Sequence, residues 1–221
     1  MFIGEIIKDF EFIESYKCDY IYATYFFEMQ KQLILIALLL CFQSGFGQAL
    51  PRVKIETSMG DIVIEADTIR APLTANNFLN LVNGGVLNNA TFYRVVRMDN
   101  QPNNEVKIEV IQGGLFRDEE IIKHKPVQHE TTQTTGLRHL NGTISMARVE
   151  PGTASTEFFI CIGPQPELDF GGKRNPDGQG FAAFGTVVSG MEVVKKIQQQ
   201  KDQQQYLTEP VKIFRTEIIT Q

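Results

Sequence analysis

The chain has 221 residues, 43% of them hydrophobic and 21% charged, with a formal net charge of −5. That balance excludes a disordered polymer, which would be poorer in apolar residues, and a membrane bundle, which would be far richer. The slight acidity argues against a nucleic-acid surface, which needs a clustered basic patch.

Residues 1–28 hold six acidic side chains against only Lys8 and Lys17, crowded among Phe, Ile and Tyr. We read them as an extension upstream of a true start at Met29. Met29-Gln-Lys-Gln then leads into ten apolar residues, Leu33 to Phe42, followed by small residues at Gly47 and Ala49. This is the three-part layout of a secretory signal peptide, so 29–49 is expected to be a signal peptide and the product periplasmic or secreted. Ten residues make a helix of only ~15 Å, about half a hydrocarbon core, so no stable membrane span is expected. Cys41 ends a Leu-Leu-Leu-Cys run, but Leu40 stands where a lipidation site wants a small residue, and lipid anchoring is not expected. Segment 1–49 takes three of the 21 basic and six of the 26 acidic residues, which leaves 50–221 with a net charge of −2. Only Cys161 remains of three cysteines. One thiol cannot close an internal disulfide, so the domain must rest on its core, and a chain of that length can bury roughly 70% of its surface.

Within 50–221, Val53–Thr57 and Asp61–Glu65 alternate apolar and polar residues around Ser58-Met59-Gly60, a hairpin pattern. Pro72 opens a helix with apolar residues at 75, 78, 79 and 82, and Gly84-Gly85 closes it. Short strands are predicted at 91–97, 107–112, 142–147, 157–162 and 181–188. A helix over 191–200 and a last strand over 211–219 complete the chain. Many short strands with two helices and no βαβ rhythm predict a mainly β fold, a closed eight-stranded antiparallel barrel capped by two α-helices. Two polar insertions interrupt it, 98–105 and the Gly-rich 170–180. The second lacks the ending of a phosphate-binding loop and reads as a surface loop. Gln198–Gln200 and Gln203–Gln205 read as a solvated helix end.

Few residues suggest nucleophilic or metal chemistry. His129-Glu-Thr-Thr-Gln133 has glutamine where a zinc-protease helix needs its second histidine, so no metal is expected. Ser145 and Ser155 stand in no nucleophile elbow, and His124, His129 and His139 read as polar surface residues.

The runs that remain are Phe92-Tyr93-Arg94-Val95-Val96, Val110-Ile111-Gln112-Gly113-Gly114, Ser145-Met146-Ala147-Arg148 and Glu157-Phe158-Phe159-Ile160, with Phe184-Gly185 downstream. In this order they resemble the cyclophilin family of peptidyl-prolyl cis-trans isomerases over residues 53–219. The resemblance implies that Arg94 is the catalytic residue. It makes Val110, Phe159 and Leu168 walls of a proline pocket. Tyr93, Gln112, Ala147, Arg148, Glu157 and Phe181 then line the peptide groove. Phe158, alternating with Phe159, is expected in the core. No cofactor is implied. The expected partners are proline-containing unfolded or nascent exported polypeptides bound by a monomer. Some positions depart from the family pattern. Tyr93 replaces a histidine and Glu157 a glutamine, Phe181 stands at a groove histidine, and Ile108 or Glu109 falls where a groove phenylalanine is usual. Glu167 takes the place of a tryptophan, which implies only weak cyclosporin binding.

Overall fold

A computed structural model describes residues 26–33 and 49–219. Most of the expected extension and signal peptide, Cys41 included, lies outside the described residues. The chain divides at 48/49 into two units. In the first, residues 26–33 are helical and exposed. No helix among the described residues is long and apolar enough to cross a membrane.

The second unit is a barrel. Its strands are β1 Arg52–Thr57, β2 Gly60–Ala66, β3 Thr91–Val96, β4 Val110–Gly114, β5 Thr143–Met146, β6 Phe158–Cys161, β7 Ala182–Ser189, β8 Asp202–Gln203 and β9 Tyr206–Ile219. Hydrogen bonding runs β1-β2-β7-β5-β6-β4-β3-β9, and β9 pairs back onto β1, so eight antiparallel strands close on themselves. The two-residue β8 is an extra strand beside β9. Closure removes the sheet edges that an open sheet of this length would expose.

Alternation explains the interior. Val53 and Ile55 of β1 and Ile62 and Ile64 of β2 are fully buried, while the residues between them face outward. Helix α1, Pro72–Asn83, adds Ala75, Phe78, Leu79, Leu81 and Val82 to the core. Helix α4, Met191–Gln198, adds Val193, Val194 and Ile197. At the centre Phe158 meets Phe78 and Phe92 edge-on, with ring centroids 5.4 and 5.7 Å apart. This is the favoured geometry for aromatic pairs.

Three features depart from expectation. Strand β4 starts at Val110 rather than 107 and includes Gly113 and Gly114. The last strand starts at Tyr206, five residues early, because a hairpin with β8 precedes it where a solvated helix end was expected. Single-turn helices α2, Asp118–Ile121, and α3, Thr132–Thr135, were also unforeseen. His129 and Glu130 precede α3 instead of lying on it. The Glu130 carboxylate accepts from Leu73 N, Thr74 N and Thr74 Oγ1 at 3.2, 2.7 and 2.7 Å. Leu73 N and Thr74 N are first-turn amides of α1, whose N-cap, Ala71, has no side chain able to cap them.

Candidate active site

Strand β3 departs from alternation at one point, and that point positions the site. Phe92 pairs with Gly113 and Arg94 with Gln112, so Tyr93 is an extra residue bulged out of the ladder. Across the other edge the partner jumps from Val211 to Tyr206, a detour of β9 that contains Pro210, which has no N–H to give a ladder. The bulge re-aims the side chains. Phe92 and Val95 point into the main core, whereas Tyr93 and Arg94 both face an outer groove. Gly113 and Gly114 are required here. A Cβ on Gly113 would lie 2.8 Å from Phe92 Cδ1, and one on Gly114, at φ +145°, would run into the Glu157 carboxylate.

Arg94 is clamped. Its Nη1 donates to Gln112 Oε1 at 2.8 Å, and its Nε and Nη2 donate to Gln205 Oε1 at 3.1 and 2.6 Å. Each glutamine is held in turn. Gln112 Nε2 donates to Tyr93 Oη at 2.7 Å, and the Tyr93 hydroxyl donates to Glu157 Oε2. Glu157 Oε1 accepts from Leu115 N at 2.7 Å. Burial, reinforced by the Glu157 charge, pushes the Tyr93 phenol up, so it stays a neutral donor. On the other side Gln205 Nε2 donates to Asn100 O at 3.2 Å, and Gln205 N donates to Asp202 Oδ2 at 2.9 Å. Asp202 also accepts from Arg97 and Asn100. A guanidinium carries five N–H donors. Three are used on the glutamines, so two remain for a ligand among the described residues. Burial works against the Arg94 charge, since it lowers the pKa, yet an arginine stays protonated under such pressure.

Two hollows meet at this guanidinium. One, of about 260 Å³, is walled by Ile108, Val110, Phe159, Leu168 and Phe181. The first four of these belong to a second apolar cluster, separate from the main core, and Phe181 packs against it. The other, of about 420 Å³, includes Tyr93, Phe116, Glu157 and Tyr206. Arg94, Gln112, Ala147 and Arg148 border both. The ten residues singled out in the sequence therefore come together around one groove. Of Ile108 and Glu109, Ile108 lines the apolar hollow and Glu109 does not. Phe181 meets Phe159 edge-on at 5.3 Å, and the Arg148 guanidinium lies 5.2 Å over the Phe181 ring. Arg148 is bound by its side chain to Asp177 (2.8 and 3.0 Å) and Gly180 O (2.9 and 2.6 Å). It ties the 170–180 loop to the groove wall.

Several residues of this neighbourhood escaped the sequence. Gln205 and Tyr206 were hidden in a glutamine-rich stretch. Phe116, at φ +69°, and Tyr206 form an aromatic group with Tyr93, with centroids of 4.6 Å for Tyr93–Phe116 and 6.5 Å for Tyr93–Tyr206. His139 is not a surface residue: it is 1% exposed, stacks on Phe159 at 5.9 Å, and bridges Asp169 Oδ1 (2.8 Å) and Ser145 Oγ (3.0 Å). Burial alone would raise the Asp169 pKa, but the His139 and Arg138 contacts hold it below its usual value. The Ser-His-Asp order invites a hydrolytic reading. Ser145, however, has no exposed surface and borders neither hollow, so no substrate carbonyl can reach it. The array braces the back of Phe159. The 170–180 loop, expected to be a plain surface loop, is partly buried and bonded into the groove.

Comparison with known proteins agrees with this architecture. The family model for cyclophilin type peptidyl-prolyl cis-trans isomerase/CLD matches residues 52–218. Peptidyl-prolyl cis-trans isomerase A of Dickeya dadantii is 39% identical over 152 residues, 66% of this chain and 70% of that one. Peptidyl-prolyl cis-trans isomerase B of Escherichia coli is 35% identical over 148 residues, 66% of this chain and 82% of that one. The crystal structure of a cyclophilin type isomerase from Cryptosporidium parvum shares the fold, with a TM-score of 0.61 at 21% identity over 78% of this chain and 99% of that one. The same isomerase determined in the presence of the dipeptide Ala-Pro matches with a TM-score of 0.60 at 22% identity, over 77% of this chain and 99% of that one. The closed barrel is that of the cyclophilin-type isomerases. The chain belongs to the cyclophilin-type peptidyl-prolyl cis-trans isomerase family.

Proposed function

We propose that the protein accelerates rotation about Xaa-Pro bonds in exported polypeptides, with Arg94 stabilising the twisted amide. Rotation costs ~18–20 kcal/mol because amide resonance is lost, and uncatalysed exchange takes roughly tens to hundreds of seconds. In the twisted state the proline nitrogen is pyramidal and its lone pair is free to accept. A fixed donor near it binds that state better than the planar amide, which is differential transition-state binding. The observation that carries the reading is a guanidinium held by two glutamine carbonyls, with two N–H groups unused, at the rim of an apolar hollow. Ile108, Val110, Phe159 and Leu168 suit a proline ring there, and Gln112, Ala147 and Arg148 suit the peptide backbone. A gain of ~10⁴-fold needs about 5.5 kcal/mol. One oriented charged donor acting in a water-poor site supplies an effect of that order.

Exchange spectroscopy by NMR on a blocked Ala-Pro peptide tests the activity. Catalytic amounts of protein should shorten the exchange time between the separate cis and trans signals well below the uncatalysed value of roughly tens to hundreds of seconds. Peptide binding with no acceleration would make the groove a recognition module. Export rests on the leader. Residues 29–49 act as a signal peptide, with 1–28 an upstream extension and 50–221 the isomerase domain. N-terminal sequencing of the protein recovered from periplasm or medium should start near residue 50. An uncleaved chain confined to the cytosol would contradict export. The protein acts as a monomer without a lipid anchor at Cys41, and with Glu167 in the place of a tryptophan it binds cyclosporin weakly.

A further inference from the structure

The apolar hollow beside Arg94 contains a second guanidinium that bond rotation does not require. Arg174, from the 170–180 loop, lines it together with Arg94, Phe159 and Phe181. Its Nη1 donates to Val106 O at 2.7 Å and to Gln101 Oε1 at 3.1 Å. Gln101 is fully buried, and its Nε2 donates to Arg97 O and Ile108 O at 2.7 and 2.8 Å. The insertion at 98–105 thus serves as a rigid anchor for an arginine delivered by the other insertion.

The arginines around the groove differ in how their charge is met. Arg148 has a bidentate carboxylate partner in Asp177. Arg94 and Arg174 have none: among the described residues no carboxylate lies within ion-pairing distance of either, and both are held by neutral oxygens. Neutral acceptors orient a guanidinium without cancelling its charge. Partial burial, then the nearby Arg94 charge, push the Arg174 pKa down, as expected for two unneutralised cations sharing one hollow. Both bonds of Arg174 come from Nη1, which leaves its Nε and Nη2 hydrogens without a partner among the described residues. The acids of the groove, Glu157 and Asp118, border the other hollow, so they do not oppose an anion on this side.

We infer that the unused Nε and Nη2 hydrogens of Arg174 form a carboxylate-binding subsite beside Arg94 at the proline pocket, so that the enzyme favours proline segments with an acidic side chain next to the proline. This rests on the isomerase reading, and its test separates the two. Exchange spectroscopy on three blocked peptides would compare Ala-Ala-Pro-Ala with Ala-Glu-Pro-Ala and Ala-Ala-Pro-Glu. In wild type, kcat/KM for one of the glutamate peptides should exceed that of the neutral peptide by about tenfold at low ionic strength. The ratio should shrink in 0.5 M salt, as screening of a partly exposed pair requires. Which glutamate peptide responds tells on which side of the proline the acid lies. Arg174→Gln should bring the ratio to about one, whereas Arg174→Lys should keep most of it. Lys173→Gln removes an exposed charge from the same loop but borders neither hollow, and should keep all of it. Because each ratio is internal to one variant, a loss of overall activity does not blur it. Equal rates for all three peptides in wild type, or a preference that survives Arg174→Gln, would overturn the subsite while leaving the isomerase intact. No acceleration of any peptide would remove both.

Discussion

At the scale of single residues, the site is a chain of hydrogen bonds that ends on one guanidinium. Its sequence-distant link is Gln205, which lies 111 residues from Arg94. Nothing in a Gln-Gln-Gln run marks one glutamine as the structural partner of a strand arginine, so only the fold reveals it. Arg94 itself was legible because aromatic and β-branched neighbours bracket it in a recognisable motif. Tyr93 was legible as a residue but not as a bulge, because register is a property of two strands. The burial of His139 was invisible because its partners, Ser145 and Asp169, are set by barrel closure. Gln205 is a positioning residue, so Gln205→Ala should lower kcat about tenfold while KM stays within twofold, since misorientation harms the transition state more than ground-state binding. An equal loss in KM and melting temperature would assign Gln205 a merely structural role. The rate should also be flat from about pH 6 to 9, because Arg94 does not titrate there and burial keeps Tyr93 protonated. A bell-shaped profile would require acid–base chemistry that this site lacks.

At the scale of elements, alternation and helical spacing gave all eight barrel strands and both long helices, with end errors of a few residues. What they could not give was long-range capping and the β8–β9 hairpin. Glu130 caps α1 from 56 residues away, where a local search for a capping side chain fails. Glu130→Ala should therefore destabilise the domain by about 1–2 kcal/mol, measured by denaturant unfolding, through loss of a charged acceptor at the helix start. No change would mean that solvent satisfies those amides equally well. The β8–β9 turn holds Gln204 and Gln205 at φ +53° and +75°. Two left-handed residues make a turn that usually employs Asn or Gly, which is why the glutamines did not announce it. Gln205 is kept there by its bonds to Arg94 and Asp202, but among the described residues no side-chain bond holds the exposed Gln204. Gln204→Gly should raise stability by about 0.5–1 kcal/mol with unchanged activity. A loss of stability would show that the turn gains more from chain stiffness than it loses to strain.

At the scale of the molecule, barrel closure brings the groove wall from β3, β4, β6 and two insertions to one place. The sequence could list these segments but not show that the insertions lock together over the pocket. Three largely buried aspartates contribute to the stability of the barrel. Burial alone would raise Asp169, Asp202 and Asp67, yet partners at His139, Arg97 and Arg70 hold all three below the usual carboxylate value. A depressed folded-state pKa means stability that is complete above the unfolded value, ~3.9, and lost as pH falls through the folded one. The melting temperature should thus be level from pH 6 to 8 and drop steeply below about pH 4. A melting temperature unchanged down to pH 2.5 would contradict that assignment.

The claim on which the functional account turns is that Arg94 grips the proline nitrogen only as the bond twists. Its most direct measurement compares Arg94→Ala with wild type by NMR exchange on one Ala-Pro peptide, with affinity taken from the same titration. The account predicts a fall in kcat/KM of at least ~100-fold, about 2.7 kcal/mol, carried by kcat, with binding and the barrel's melting transition preserved. Activity within threefold of wild type would show that another group drives the rotation.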